Sequence, residues 1–366
     1  MNKERLVKTF TDLVALDSPS FDEQAVCRYI KERLTALGVQ VEEDDSAAAT
    51  GSTCGNLLAT IPGDPSLEPV LFAAHMDTVE PSRGKQAVTD ENGRITSCGD
   101  TVLGADDFAG VAAILEGVAS LLESDATHPT LFTTGEEHFC VGAKAFDAER
   151  LQSKTAYVMD LSGPVGDCAV AAPTLITFSA EVVGKAAHAG FAPEDGVHAI
   201  QVAAAAVANL PSGRWGDVTV NVGTITGGRA TNIVPDRCTV TGEIRALCHQ
   251  DALDRLNEIH SEFVEQAQAV DAKLNFNHTI HITGYRVDTD APVVQRFKRA
   301  CEAVGVAPRF TDTYGGSDCN ILSAHGIQGL VVATAMNNCH AVNEYTTVEE
   351  LCKAGRLAQA LMDKQD

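Results

Sequence analysis

The 366-residue chain carries 27 Lys and Arg against 50 Asp and Glu, a formal net charge of −23. That balance argues against a nucleic-acid binder, which needs a basic face. An apolar fraction of 45% with 21% charged residues is ordinary for a water-soluble globular protein, and no apolar run reaches membrane-spanning length.

The length exceeds what one hydrophobic core commonly organises, so two domains are expected. The 11 cysteines are scattered singly, without a CxxC or CxxH pair, which suggests neither a zinc ribbon nor a disulfide framework. Most are expected to be small core residues. The opening MNKERLVKTF lacks the apolar centre of a signal peptide. A reducing, cytoplasmic setting is therefore expected.

Taken in chain order, residues 3–38 read as helical, with Leu6, Phe10, Leu13, Val26, Ile30 and Leu34 at helical spacing and Gly38 as a stop. NLLATIPG and VLFAAHM read as strands, residues 109–124 as a helix, and PTLFTTGEE and AYVMDLSG as further strands. Strands alternating with helices predict an α/β layer with a mixed, mostly parallel sheet. Such sheets bind ligands beyond the carboxyl ends of their strands. From Pro173 the texture changes to alternating strands and two helices in the order β-α-β-β-α-β, a ferredoxin-like arrangement over 173–286. After Pro292 the α/β pattern returns, with a helix 292–304, a Gly-rich turn 314–316, a strand 329–335 and a helix 347–363. The expected organisation is therefore a catalytic domain of 1–172 plus 287–366, with 173–286 inserted.

Within this frame, LFAAHMDTVEP places His75 and Asp77 two residues apart at the end of an apolar strand, where i and i+2 share a side. Alone, the pair could be a surface histidine beside a solvated aspartate. LGADDFAG presents Asp106 and Asp107, which could equally cap a helix. TTGEEHF presents adjacent Glu136 and Glu137, which repel unless a cation or proton separates them, or which sit in a solvated turn. Asp160 closes VMD and could simply start a turn. His340 follows the strand 329–335 and could be structural. Together they supply two imidazoles and several carboxylates at the ends of elements of one sheet. Nitrogen and oxygen ligands without thiolate suit zinc, cobalt or manganese. One bridging carboxylate would make a two-metal hydrolase site, with ions about 3.5–4 Å apart.

The ordered motifs HMDTV, LGADDFAG, TGEE, VMDLSGPVG, GKAAHAG…PEDGVHAI, GGRATNIVPD, GEIRAL, GGSDCN and CHAVNEY span nearly the whole chain. In them the sequence resembles the aminoacylase/carboxypeptidase G2/peptidase T family of co-catalytic zinc metallopeptidases, closest to the peptidase T-like branch. The resemblance implies a zinc-exopeptidase-like catalytic domain with a ferredoxin-like lid. It implies two divalent ions, zinc or else cobalt or manganese. His75 and Asp160 would hold one ion, His340 and Glu137 the other, and Asp106 would bridge them. Glu136 would be the general base, moving a proton from water to the leaving amine. Asp77 would orient His75. The family often has a cis peptide after the bridging residue, here at Asp107.

In the lid, His188 resembles the oxyanion-stabilising histidine, while Asn232, Arg245, Gly316 and Ser317 match positions that hold or line the substrate. Without the family, His188 is a loop histidine in solvent, Asn232 a loop cap, Arg245 an outward strand charge, and the GGSD segment an ordinary turn. The family also implies a homodimer through the lid. Leu161-Ser162-Gly163 departs from the Ala-Asp-Gly of relatives, and AMNNCHAVNEY is unusual upstream of His340, so substrate choice is the open point. Exopeptidase action on small peptides leads, with N-acyl amino acid deacylation as the alternative on the same centre. A catalytically silent binding module is disfavoured because Glu136 and every ligand are present.

Overall fold

The computed structural model describes residues 1–61, 66–122 and 129–363. The chain divides into two compact units: Met1–Val170 with Val287–Thr313 and Ser317–Asp366, and Ala171–Arg286 with Tyr314–Gly316.

The first unit is built on a mixed sheet with strands in the order Gln40–Glu43, Leu57–Thr60, Pro129–Thr133, Val70–His75, Thr155–Ser162, Gln328–Met336 and Asp167–Ala172. The four from Pro129–Thr133 to Gln328–Met336 run parallel, and the outer pairings are antiparallel. Val70–His75 lies inside the sheet and every residue of it is buried, which explains its unbroken apolar run. The helix Ala105–Leu122 packs against Val70–His75 and Thr155–Ser162. Its approach depends on Gly110, where a Cβ would sit 2.2 Å from the Met159 carbonyl oxygen. Residues 123 and 124 of the expected helix lie outside the described residues.

Several expectations need correction. The single helical stretch 3–38 is two helices, Lys3–Val14 and Gln24–Ala36. Between them Pro19, poor in a helix interior, pairs with Thr78, and the Ser18 hydroxyl donates to the Met76 carbonyl. Tertiary pairing thus takes a segment that periodicity assigned to a helix. Asp160 does not end its strand, which continues to Ser162. Asp77 lies beyond its strand, which stops at His75. A small sheet of Tyr345–Thr347, Arg94–Ser97 and Ala87–Thr89 went unforeseen, its strands being too short to show alternation.

The second unit is a five-stranded antiparallel sheet in the order Gly213–Trp215, Val218–Gly227, Arg237–Ala246, Thr174–Val183 and Lys273–Ile282. Ile176, Phe178, Ala180 and Val182 alternate inward against the helices Ala199–Asn209 and His249–Gln268, where Ile259 and Phe263 complete the core. The element order is β-α-β-β-α-β with the short Gly213–Trp215 strand added at one edge. No helix among the described residues is long and apolar enough to cross a membrane.

Candidate metal centre

The centre starts at the exit of Val70–His75. His75 is only 2% exposed. Its Nδ1 lies 3.0 Å from the Asp77 carbonyl oxygen and 3.3 Å from Asp77 Oδ1. In the neutral ring either acceptor places the proton on Nδ1 and leaves the Nε2 lone pair available to a metal, whereas in the imidazolium both nitrogens donate. Nε2 faces two carboxylates, Asp106 Oδ1 at 3.2 Å and Asp160 Oδ1 at 3.9 Å.

Asp106 enters at the head of Ala105–Leu122, where Asp106 and Asp107 depart from helical dihedrals and are joined by a cis peptide. Asp107 turns inward, its Oδ2 accepting the His75 backbone N–H at 3.2 Å. The second oxygen of Asp106 lies 3.3 Å from His340 Nε2, and Glu137 Oε1 lies 3.0 Å from the same nitrogen. His340 sits on a loop closed by reciprocal 3.0 Å backbone bonds between Asn337 and Tyr345, at φ 63, a conformation uncommon for a non-glycine residue. Two three-residue groups result, His75–Asp106–Asp160 and Asp106–Glu137–His340, sharing Asp106.

Glu136 and Glu137 hang from a turn held by side chains of distant segments. The N–H of Thr134 donates to Asn56 Oδ1 at 3.1 Å, and that of Gly135 to Glu23 Oε1 at 3.0 Å. Those of Glu136 and Glu137 donate to the two oxygens of Asp77, at 3.0 and 3.3 Å. Asp77 therefore does more than face His75: it fixes the turn that aims both glutamates. The Ser20 hydroxyl donates to it at 2.6 Å. Behind Glu136 lie the buried Cys140 and Asp318, and Cys140 Sγ donates to Glu136 Oε1 at 3.4 Å. Asp318 accepts from the Thr133 hydroxyl and is pushed up to about 6, chiefly by burial.

The electrostatics are those of crowded acids. Burial, with neighbouring carboxylates, raises Glu136 and Asp160 well above the usual range. Burial would raise Asp106 too, but hydrogen bonds to His340 and His75 outweigh it and hold it low. Donating to Asp106 and Glu137 in turn lifts His340 to about 10. So many carboxylates in a low-dielectric place need positive charge among them. The nitrogen and oxygen donors of the two groups fit borderline divalent ions such as zinc.

Of the remaining expected site residues, Ser317 is buried and committed as the cap of the helix Asp318–Ala324, accepting from the Cys319 N–H. In the second unit, His188 and Asn232 are exposed, and the Asn232 carbonyl accepts the Ala189 N–H at 3.0 Å. Arg245 is already engaged, with Nε 2.9 Å from Glu243 Oε1 and Nη1 donating to the Tyr314 carbonyl at 2.8 Å. Gly316 packs so closely that a Cβ would lie 2.2 Å from Ile282 Cδ1.

Sequence reasoning missed Glu23, Asn56 and Glu344. The 1% exposed Glu344 accepts the N–H of Gly104 at 2.7 Å and of Asp106 at 3.0 Å, clamping the backbone that carries Asp106. Burial, partly offset by those bonds, pushes Glu344 up to about 7. For Glu344 a signal existed, an acid four residues past His340 in CHAVNEY. Glu23 and Asn56 carry none, because their role depends on contacts across the fold.

The model of the peptidase dimerisation domain family matches residues 170–271, and that of peptidase family M28 matches residues 56–170. The uncharacterized protein YqjE of Bacillus subtilis (strain 168) is 35% identical, covering 100% of this chain and 99% of that one. The crystal structure of aminopeptidase PepT from Bacillus cereus ATCC 10987 superposes with a TM-score of 0.93 at 38% identity, over 99% of this chain and 98% of that one. A tripeptidase from Staphylococcus aureus gives a TM-score of 0.95 at 30% identity, over 99% and 98% of the two chains. Likeness of this degree over whole chains, joined to the folds described above, places the chain in the M20 peptidase T-like family of metallopeptidases.

Proposed function

We propose that the chain is a di-metal exopeptidase of the aminopeptidase type, cleaving di- or tripeptides in the cytoplasm. The observation that carries this reading is Asp106, whose two oxygens lie 3.2 and 3.3 Å from the ring nitrogens of two different histidines. A carboxylate so shared suits two adjacent ions, zinc or else cobalt or manganese. His75 and Asp160 would hold one, His340 and Glu137 the other. Bound ions would activate water and polarise the scissile carbonyl.

The chain's own residues do the rest. Glu136, aimed by its pinned turn and raised in pKa by burial, takes a proton from the attacking water and returns it to the leaving amine. Asp77 holds His75 and the glutamate turn in register. His188 would donate to the developing oxyanion, and Asn232, Arg245, Gly316 and Ser317 would line the substrate path. Because Arg245 is paired with Glu243, the charge it offers a substrate carboxylate is partly compensated. The second unit, with boundaries expected at 173 and 286, would serve as lid and as the contact between two copies. The match to the dimerisation-domain family and the peptidase names of the similar structures support this reading.

The test is turnover of di- and tripeptides beside N-acyl amino acids, with and without chelator and with added zinc, cobalt or manganese. Peptide cleavage abolished by chelation and restored by metal is expected. Cleavage of N-acyl amino acids alone would move the chain to deacylation, and chelator-insensitive turnover would refute the metal mechanism. Glu136→Ala should keep its ions and lose most turnover.

A further inference from the structure

His188 stands on an exposed loop of the second unit, and its surroundings specify the ring more tightly than exposure suggests. The backbone bridge between His188 and Ile233 ties the loop to the neighbouring segment, and the Ala189 N–H donates to the Asn232 carbonyl at 3.0 Å. The Gly190 N–H donates to His188 Nδ1 at 3.1 Å. In the neutral ring this leaves the proton on Nε2, the nitrogen directed away from the turn. A single hydrogen bond is a weak tether for a ring that can turn about two side-chain bonds.

Phe191 adds a second restraint. The turn brings the N–H of Phe191 to 3.2 Å from the His188 carbonyl, and the phenyl ring stacks on the imidazole at 4.2 Å between centroids with 21° between planes. Phe191 is 85% exposed, so it contributes little to the core of its own unit. The imidazole is the aromatic partner the structure gives its ring.

The geometry points to Phe191 as a positioning residue for His188: its ring is the wall that, with the Gly190 N–H, fixes the direction of the Nε2 donor. The inference rests on the proposed oxyanion role of His188. Phe191 touches neither the attacking water nor the reacting carbonyl in this role. Its effect is to keep His188 from sampling orientations in which the donor misses the developing charge.

The experiment uses the full-length, metal-loaded chain with a tripeptide substrate and compares Phe191→Ala, Phe191→Tyr and His188→Ala. Phe191→Ala should lower kcat about 10-fold with KM within about twofold, while His188→Ala lowers it about 100-fold or more. Phe191→Tyr, which keeps the stacked ring, should restore kcat to within about twofold of wild type. Nitrogen-15 spectra of the imidazole should show the single Nε2–H tautomer in wild type and exchange between tautomers in Phe191→Ala. Unchanged kcat in Phe191→Ala beside a large loss in His188→Ala would overturn the positioning role and leave the His188 reading standing. A rise in KM alone would also overturn it, making Phe191 a substrate contact. Near wild-type turnover in His188→Ala would remove the oxyanion reading and the inference with it.

Discussion

The acidic centre of the first unit and the polar residues of the second sit in opposite surroundings. Asp77, Asp107 and Glu344 are buried, and each accepts from the backbone of another segment, while the buried His75 is held by Asp77. His188 and Asn232 are exposed, on two segments of the second unit tied to each other by backbone bonds, with one local turn at Gly190. The contrast fits two tasks. Groups that collect charge must be oriented before it arrives, because mobile carboxylates would relax apart. Groups that meet a substrate can sit in water until it comes. Damage to the first kind should therefore appear in stability and ion binding, and damage to the second in kinetics alone.

The sharpest break of that comparison is Asp106→Ala, which removes the carboxylate shared by both ligand groups. Turnover should fall roughly a thousandfold or more, and ion binding by calorimetry should weaken at both sites together. Loss at one site only would show that Asp106 is not shared. Next, Asp77→Asn should cost about 10–100-fold in metal affinity or activity, since it disturbs both His75 and the Glu136–Glu137 turn.

Glu344→Gln puts an amide donor against one of two backbone donors. A loss of about 1–3 kcal/mol in urea unfolding is expected, with weakened ion binding, though Glu344 holds no ion. Lys85 tests burial in this unit away from the ligands. Its ammonium donates to the carbonyls of Leu16 and Ser82, and burial lowers it from 10.5 to about 8. Between pH 8 and 10.5 the unfolded chain binds this proton and the folded chain does not, so wild-type stability relative to Lys85→Met should climb across that window and stay level below it. The smallest structural effect belongs to the second unit. Asn232→Ala should change unfolding free energy by less than about 0.5 kcal/mol while raising KM. A large loss of stability there would erase the distinction drawn between the two units.

The sequence carried the fold class and the ligand candidates for a physical reason. A strand buried on both faces must be apolar throughout, so the polar residues at its exit stand out, as His75 does after Val70–Ala74. A carboxylate pair such as Glu136–Glu137 is equally conspicuous after an apolar strand. What was not legible is the bracing. Glu23 and Asn56 look like ordinary polar residues, and only the folded chain brings them to Gly135 and Thr134, across 112 and 78 positions. The break at Pro19 was similarly hidden, because both flanking helices keep good apolar spacing and only the pairing with Thr78 shows why the chain leaves the helix.

The turn from Thr134 to Glu137, with four successive N–H groups taken up by Asn56, Glu23 and Asp77, has a thermodynamic consequence. Because those bonds are made by the chain's own groups, capture of a cation should involve little folding of the chain. Its heat-capacity change should then be small, and association should be governed by dehydration of the ion and displacement of protons rather than by rearrangement of the peptide. Titration in buffers of different ionisation enthalpy would read out those protons, making the release of acid into solution the most direct physical record of the centre filling.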